Sequence, residues 1–529
     1  MLNKIFNFKF IVVIIATSIT SNVSWAQAGK RNSKKPNIIY ILADDMGPGD
    51  VMLYNKDSKF PTPNIDRIGR EGVKFMDAHT SSGVCTPTRY GILTGRYSWR
   101  TSTLKKGVLG GHSKHLIPAD RTTLASLLQK EGYKTACVGK WHLGMDWEFL
   151  QASNSTRIKA NNVNMHTPIK NGPNANGFDY YYGISASLNM NPHVFIKNDK
   201  AQGTFEYLKD QDALAKRGYI GAKPGWSAKE FEQDQVLPTF TKKTCEWIRE
   251  NKDEPFFVYM PLNSPHSPIV PSKNFLNKSG LNDHGDFCME TDWAIGQVLK
   301  TLDELKIADN TIVVFTSDNG TSPKAGFPVM AKKGHHSSWI YRGMKGTNWE
   351  GGHRMPFLVR WPNKVKAGQV SDQLICTTDM MATCAELLGI NLTDNEGEDS
   401  VSFLPALQSK PIKNIAERAV VHHSDKGIFS VRYGKWKLMF DNSGGSNRTD
   451  PRKDEAIKDN ASILLFDMDN DATEDVNLAS KFPEIVEKLK KKLAEVIKDG
   501  RSTEGKKIGN DPIGKGIKWK ELNVVEDYL

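Results

Sequence analysis

The most persistent pattern along the chain is a set of short apolar, β-branched runs that each stop at polar residues. Residues 37–43, 134–139, 255–260, 311–316 and 356–361 are such runs. Unbroken apolar runs of this length predict strands buried on both faces, as in a parallel sheet. Helical periodicity separates them. Residues 62–68 open a helix, 120–130 place Leu124, Leu127 and Leu128 on one face, and 240–249 read as another helix. Residues 289–305 carry an apolar stripe of Ile295, Val298, Leu299, Leu302 and Leu305. Alternating strands and helices predict an α/β fold whose large, mostly parallel sheet is sandwiched by helices. The Asn-, Gly- and Lys-rich stretch 150–235 has little periodicity and predicts loops inserted above that sheet. From about 395 the texture changes to shorter stretches at 428–433, 436–440 and 464–467, then a helix marked by Ile485, Leu489, Leu493 and Val496. These predict a smaller C-terminal α+β domain, 395–529, after a main domain at 36–394.

Composition narrows the setting. Lys4 and Lys9 precede an apolar run at 10–16, and Ser24-Trp25-Ala26 supplies a small-x-small cleavage pattern. Residues 1–26 therefore read as a secretory signal peptide, too short in its apolar core to span a bilayer. The expectation is an exported protein, periplasmic or secreted, without stable membrane insertion. A net charge of +11 leaves nucleic acid, anionic membrane or a polyanionic substrate open as partners. Nucleic acid is excluded by the lack of Lys/Arg clusters interleaved with aromatics and of zinc-finger spacing. Six cysteines over 529 residues do not make a disulfide scaffold.

The polar residues that end the strands carry the chemistry. Asp44-Asp45 follow the first run and Asp318-Asn319 the fourth, on the rim where open α/β sheets place their sites. Adjacent carboxylates repel, and a hard oxygen set suits Ca²⁺ or Mg²⁺ rather than zinc. Lys140 and His142 sit together at the end of the second run, on one side if the chain stays extended. His266 lies in a proline-fixed turn just past the third, and Lys345 in a glycine-flanked loop. Cys85-Thr86-Pro87-Thr88-Arg89 reads as a loop entering a helix, with proline in its first turn. A residue there meets the positive helix end, which favours an anion or a nucleophile that attacks one.

In combination these segments resemble the type I sulfatases of the alkaline-phosphatase superfamily, notably bacterial polysaccharide sulfatases. The matching stretches are ADDMG (43–47), TPNIDR (62–67), CTPTR to LTG (85–95), GKWHLG (139–144), SPH (264–266), SDNG (317–320), GMKG (343–346) and EGGHRMPFLVRWP (350–362). Further matches are GKWKL (434–438) and residues 464–479. Thr88 stands where the family most often has serine, and the turn at 46–50 differs from the usual one. The resemblance implies an alkaline-phosphatase-like fold and a sulfuric ester hydrolase. It implies that a sulfatase-maturating enzyme converts Cys85 to 3-oxoalanine (Cα-formylglycine). It further implies one Ca²⁺ held by Asp44, Asp45, Asp318, Asn319 and residue 85. Lys140 and Lys345 would neutralise sulfuryl oxygens, and Arg89 would stabilise the modified side chain. His266 and His142 would carry protons, His266 as leaving-group acid, although the two roles can be exchanged.

The expected substrate is a sulfated polysaccharide or its oligosaccharides, with algal glycans such as ulvan or carrageenan first and glycosaminoglycans second. Sugar contacts are expected from the 150–235 insertion and from His335, His336, Trp339, His353 and Arg354. Two alternatives remain: a phosphonate or phosphate ester hydrolase with the same nucleophile, and an unmatured sulfated-glycan binding protein.

Overall fold

All seven residues of strand Asn37–Ala43 are buried, because parallel neighbours flank it on both sides, Phe256–Pro261 on one and Thr311–Ser317 on the other. The computed structural model in which this is seen describes residues 35–101, 104, 107–151, 160–448, 461–511, 525, 527 and 528. The signal peptide expected at 1–26 lies outside the described residues. The sheet continues in parallel through Lys134–Lys140 to Tyr180–Ile184. On the other side Phe357–Arg360 joins antiparallel to Thr311–Ser317 and is followed by Val73–Phe75 and Gln369–Ser371. With a short hairpin at the far edge the sheet has ten strands. It is the mixed, mostly parallel sheet that the apolar runs predicted.

Helices cover the sheet in two groups. Pro63–Arg70, Val236–Asn251 and Asp283–Glu304 pack together, as do Cys85–Thr94, Leu124–Lys130 and Met380–Leu388. Helix Leu124–Lys130 begins four residues later than its sequence suggests. Thr123 caps it, accepting from the Ser126 amide while the Ser126 hydroxyl accepts from the Thr123 amide, so residues 120–122 stay outside. The 150–235 stretch is also more than loops. Its strand Tyr180–Ile184 extends the main sheet, and Phe205–Leu208 pairs with Gly225–Ala228. Five residues between Asn- and Gly-rich turns are too few for a period to stand out.

The C-terminal part is an antiparallel sheet of Ala419–His423, Phe429–Tyr433, Trp436–Met439 and Leu464–Asp467. Helix Pro483–Lys498 turns Val486, Leu489, Leu493, Val496 and Ile497 into its core, which Tyr97 and Trp99 of the main part also enter. Arg100 ties the two parts together, donating from Nη1 to the Val496 carbonyl oxygen of that helix at 2.9 Å while its Nε and Nη2 pair with Asp399 at 2.8 Å. Among the described residues no helix is long and apolar enough to cross a membrane. All six cysteines are buried and unpaired.

Parallel pairing sets the carboxyl ends of strands 37–43, 134–140, 256–261 and 311–317 side by side on one rim. That rim is a switch point, since the first strand is flanked by two that the chain forms much later. Close approach at this edge requires glycine at 139. Its φ is +144°, and a Cβ there would lie 1.9 Å from the Pro261 carbonyl oxygen. Gly139→Ala is expected to lower stability by about 3 kcal/mol or more, since backbone strain and overpacking add, measurable as an earlier urea midpoint with an unchanged m-value.

Candidate active site

The strand ends deliver their charge-bearing groups to a shared buried volume. Asp44 and Asp45 follow strand 37–43, Asp318 and Asn319 follow strand 311–317, and Lys140 closes strand 134–140. Lys140 Nζ lies 2.6 Å from Asp44 Oδ2. Arg89, one turn into the Cys85–Thr94 helix, donates to Asp318 Oδ2 from Nε at 2.9 Å and from Nη2 at 2.7 Å. Its Nη1 donates to the Lys140 carbonyl oxygen at 2.9 Å, and Nη2 is 3.5 Å from Asp44 Oδ1. One guanidinium thus holds the helix that begins with Cys85 against two strand ends.

Lys345 arrives on a loop wedged between two others. Its amide donates to the Thr321 carbonyl at 3.1 Å, and the next amide donates to the Gly83 carbonyl at 2.6 Å. The ammonium of Lys345 pairs with Asp45 Oδ1. His266, in the turn after strand 256–261, places Nε2 3.7 Å from Asp45 Oδ2. Its Nδ1 faces the Ser267 carbonyl oxygen, which only accepts, so Nδ1 bears the proton and Nε2 is the atom left for chemistry.

His142 reaches the site by a route that alternation did not predict. The strand ends at Lys140, and His142 takes a left-handed φ of +56°. Its Nε2–H donates to the Leu109 carbonyl at 2.7 Å, which leaves Nδ1 buried with a free lone pair. Thr86, beside Cys85, donates from its hydroxyl to the His142 carbonyl at 3.1 Å. The structure therefore brings together Asp44, Asp45, Cys85, Arg89, Lys140, His142, His266, Asp318, Asn319 and Lys345.

Three carboxylates face three permanent cations here. Burial opposes ionisation of Asp44, but Lys140, His266 and Arg89 outweigh it and hold the carboxyl well below its usual range. Asp45 is lowered against burial by Lys345 and His266. Burial and the charge on Asp44 push Asp318 up to about 7. Burial, with Lys345, lowers His266 to about 4, and burial with Lys140 and Arg89 lowers His142 well below the normal histidine value. The Cys85 thiol is raised by burial, which Lys140 and Lys345 oppose. A thiol so placed stays protonated and is a poor nucleophile as it stands.

The oxygen donors fit a hard divalent cation. Asp44 Oδ1, Asp45 Oδ2 and Asn319 Oδ1 are buried and accept no hydrogen bond. Orphaned acceptors of this kind, all oxygen and beside a carboxylate that is hard to ionise, are the complement of Ca²⁺ or Mg²⁺.

Residues missed in the sequence hold this geometry. Asp45 has a left-handed φ of +69°, and the turn after it is pinned by Asp50. The Asp50 carboxylate accepts from the Gly47 amide at 3.1 Å, the Thr321 hydroxyl at 3.0 Å and His335 Nε2 at 2.9 Å, with His284 Nε2 at 3.2 Å. An acid ending a Gly-Pro-Gly turn was the available signal. Backbone of residues 336–339 lies on this turn so tightly that a Cβ on Gly49 would sit 1.8 Å from the His336 carbonyl oxygen.

Of the expected sugar contacts, three have their polar atoms engaged inside the protein. His335 is buried between Asp50 and the Lys59 amide. His353 stacks on His422 with centroids 3.9 Å apart, and its ring nitrogens lie 3.0 Å from His79 Nδ1 and 2.9 Å from the Asn348 carbonyl. Arg354 is held by Met76, Glu350 and Asp77 and covers the Tyr341 ring. Polar atoms without a hydrophobic alternative find internal partners once two chain segments cross, and sequence spacing does not record the crossing. His336 is exposed and Trp339 half-buried.

Known proteins share this sequence and this fold. The sulfatase family profile matches residues 36–390, and the profile for the C-terminal region of aryl-sulfatase matches 416–506. This chain belongs to the sulfatase family. It is a sulfuric ester hydrolase. An N-acetylgalactosamine-6-O-sulfatase of Bacteroides thetaiotaomicron is 33% identical over 88% of this chain and 94% of that protein. Human steryl-sulfatase is 30% identical over 78% of this chain and 77% of its own. A sulfatase structure solved in work on glycosaminoglycan metabolism by Bacteroides thetaiotaomicron superposes with a TM-score of 0.76 at 32% identity, covering 88% of this chain and 99% of that one. A structure in complex with a neocarrahexaose superposes at 0.65 with 23% identity over 90% and 95% of the two chains, and shows the shared fold.

The histidine stack is expected to make the stability of this sulfatase depend on pH. Burial holds His353 and His422 well below the ordinary histidine value, with His79 and Lys437 adding to it at both and His422 at His353. Such groups take up protons first in the unfolded chain. Their contribution is intact above about pH 6.5 and is lost as pH falls below that value. Denaturation midpoints measured from pH 7.5 down to 5 are expected to fall, and less steeply in His422→Gln.

Proposed function

We propose that this sulfatase removes sulfate from a sulfated carbohydrate through a formylglycine hydrate formed from Cys85. The carrying observation is the position of Cys85. It is buried at the first turn of its helix, among Lys140, Lys345 and the oxygen donors of a hard-cation site, yet its own thiol is kept protonated. A residue at the focus of the charges that is inert as cysteine calls for chemical conversion. Conversion by a sulfatase-maturating enzyme and export through the leader at 1–26, to the periplasm or beyond, belong to the same reading.

A Ca²⁺ held by Asp44, Asp45, Asp318 and Asn319 would polarise a sulfate oxygen and acidify the attacking hydroxyl. The aldehyde hydrate supplies two hydroxyls on one carbon, one to attack sulfur and one to re-form the carbonyl as sulfate leaves. Lys140 and Lys345 bind the remaining sulfuryl oxygens and oppose the charge that builds on them. His266 presents Nε2 to the leaving side, where an anionic sulfate favours its protonated form, and gives that proton to the departing sugar oxygen. His142, neutral and with its Nδ1 lone pair free, takes the proton from the second hydroxyl. Arg89 serves chiefly as a positioning residue, since its guanidinium is engaged by Asp318 and the Lys140 carbonyl.

The substrate we favour is a sulfated hexosamine or galactose unit of a glycosaminoglycan-like chain. Similarity at 33% identity to an N-acetylgalactosamine-6-O-sulfatase supports it over the algal glycans that the sequence suggested first. Rates on 6-O-sulfated N-acetylgalactosamine, carrageenan oligosaccharides and aryl phosphates rank the alternatives, and preferred phosphate turnover would refute the reading.

The Cys85 peptide of protein from its native host is expected to weigh about 18 Da less than unmodified cysteine requires, by conversion of CH₂SH to CHO. Cys85→Ala is expected to lower kcat by at least about 10⁴-fold with little change in stability. A peptide of unmodified mass, or retained turnover in the variant, would defeat the proposal. Chelation is expected to lower the melting temperature and Ca²⁺ to restore it, with about 2.7 kcal/mol gained at a hundredfold excess over Kd. Asp45→Asn should remove most of that dependence.

A further inference from the structure

Asp45 keeps a left-handed φ of +69°, a conformation that a residue with a side chain holds only where its surroundings over-determine it. Those surroundings converge on the carboxylate of Asp50, which is fully buried. Its Oδ2 accepts from the Gly47 amide at 3.1 Å and the Thr321 hydroxyl at 3.0 Å, with His284 Nε2 at 3.2 Å. Its Oδ1 accepts from His335 Nε2 at 2.9 Å. That nitrogen bears the proton, because His335 Nδ1 accepts from the Lys59 amide at 3.4 Å. Four donors fill the acceptor positions of one carboxylate, so Asp50 has nothing left to offer an ion. They come from four stretches of chain: its own turn, the loop after strand 311–317, the helix at 283–304 and the loop that leads to Lys345. Thr321 is where these stretches cross. Its hydroxyl donates to Asp50 while accepting from the Gly47 amide at 2.9 Å, and its carbonyl accepts from the Lys345 amide at 3.1 Å. Ser317 adds a second brace, accepting from the Met46 amide and donating to the Asn319 carbonyl, both at 3.0 Å.

We infer that Asp50, acting through Thr321, is a positioning residue for the cation site, and that it sets both the affinity for Ca²⁺ and the preference for Ca²⁺ over Mg²⁺. The inference rests on the reading of Asp44, Asp45, Asp318 and Asn319 as the holders of that ion. Two of the orphaned acceptors, Asp45 Oδ2 and Asn319 Oδ1, stand on the turn and the loop that Asp50 and Thr321 join. Asn319 Nδ2 donates to Asp45 Oδ1 at 2.7 Å, so the two ligand side chains keep their bond only while turn and loop keep their spacing. Ca²⁺ tolerates long bonds and irregular shells, whereas Mg²⁺ requires a short, near-octahedral one. A braced turn resists drawing in around the smaller ion, and a loosened turn does not. The brace needs a carboxylate, since an amide at position 50 would turn its own N–H groups toward one of the four donors.

The test is competition for Ca²⁺, and separately for Mg²⁺, between the full-length protein and a chelating dye, with the melting temperature of the chelated protein measured alongside. Asp50→Asn and Thr321→Val are expected to lower Ca²⁺ affinity about 10- to 100-fold, the usual effect of losing an outer partner of a metal ligand. Mg²⁺ affinity should fall less, so that the preference between the ions narrows. Thr321→Ser, which keeps the hydroxyl, should restore both readouts. Chelated Thr321→Val should melt close to wild type, because the Gly47 amide keeps Asp50 as its acceptor. Ca²⁺ affinity and ion preference equal to wild type in both variants, whatever their melting temperatures, would overturn the positioning role alone. Wild type that takes up neither ion would overturn the cation reading and the positioning role with it.

Discussion

Three buried carboxylates at the ends of two adjacent parallel strands are the constraint on which the remainder of this sulfatase depends. Asp44, Asp45 and Asp318 would repel one another strongly in a medium that water does not screen. Arg89, Lys140 and Lys345 balance them, each from a different element. Because every cation is drawn from elsewhere, charge neutrality fixes the relative positions of a helix, a strand two places along the sheet and a long loop. The cluster is therefore an architectural device as well as a reactive one. Removing a partner from such a buried set leaves an uncompensated charge, typically at a cost of about 3–5 kcal/mol.

Balance without full satisfaction is what makes the cluster chemical. Three acceptor oxygens are left without donors, and Asp318 is pushed up toward neutrality. A divalent cation would bring the local sum to positive, which draws an anionic ester to a site otherwise closed by protein. Burial, aided by Lys140 and Arg89 at His142 and by Lys345 at His266, keeps both imidazoles neutral, with one lone pair each directed away from its backbone anchor. In the proposed cycle, two imidazoles with opposite ring nitrogens anchored would serve the two proton transfers.

The loops that close the site are held by backbone contacts more than by side chains. Residues 336–339 lie against the turn at 46–49, where only glycine leaves room. Within the same loop His335 serves Asp50 inside the protein. The C-terminal sheet is joined by a comparable internal network, in which His79, His353 and His422 stack beside Lys437, Glu350 and Glu474. Polar groups there are structural because their partners arrive from strands hundreds of residues apart.

The sequence by itself determined the parallel core, the rim and the chemistry of its strand ends. Apolar runs long enough to be buried on both faces leave little choice of partner, and the polar residue that stops each run is then carried to the same edge. Asp44, Asp45, Lys140, Asp318 and Asn319 were legible for that reason, and Cys85 for its place in a helix-entry motif. Tertiary structure alone decided which polar residues look inward. His335, His353 and Arg354 became internal partners, Asp50 and Thr321 emerged as the pins of the Asp45 turn, and His142 reached the site through a left-handed residue rather than strand alternation. It also made a sheet strand of Tyr180–Ile184. Local pattern encodes burial by period, whereas hydrogen bonds and ion pairs between distant segments are chosen only when those segments meet.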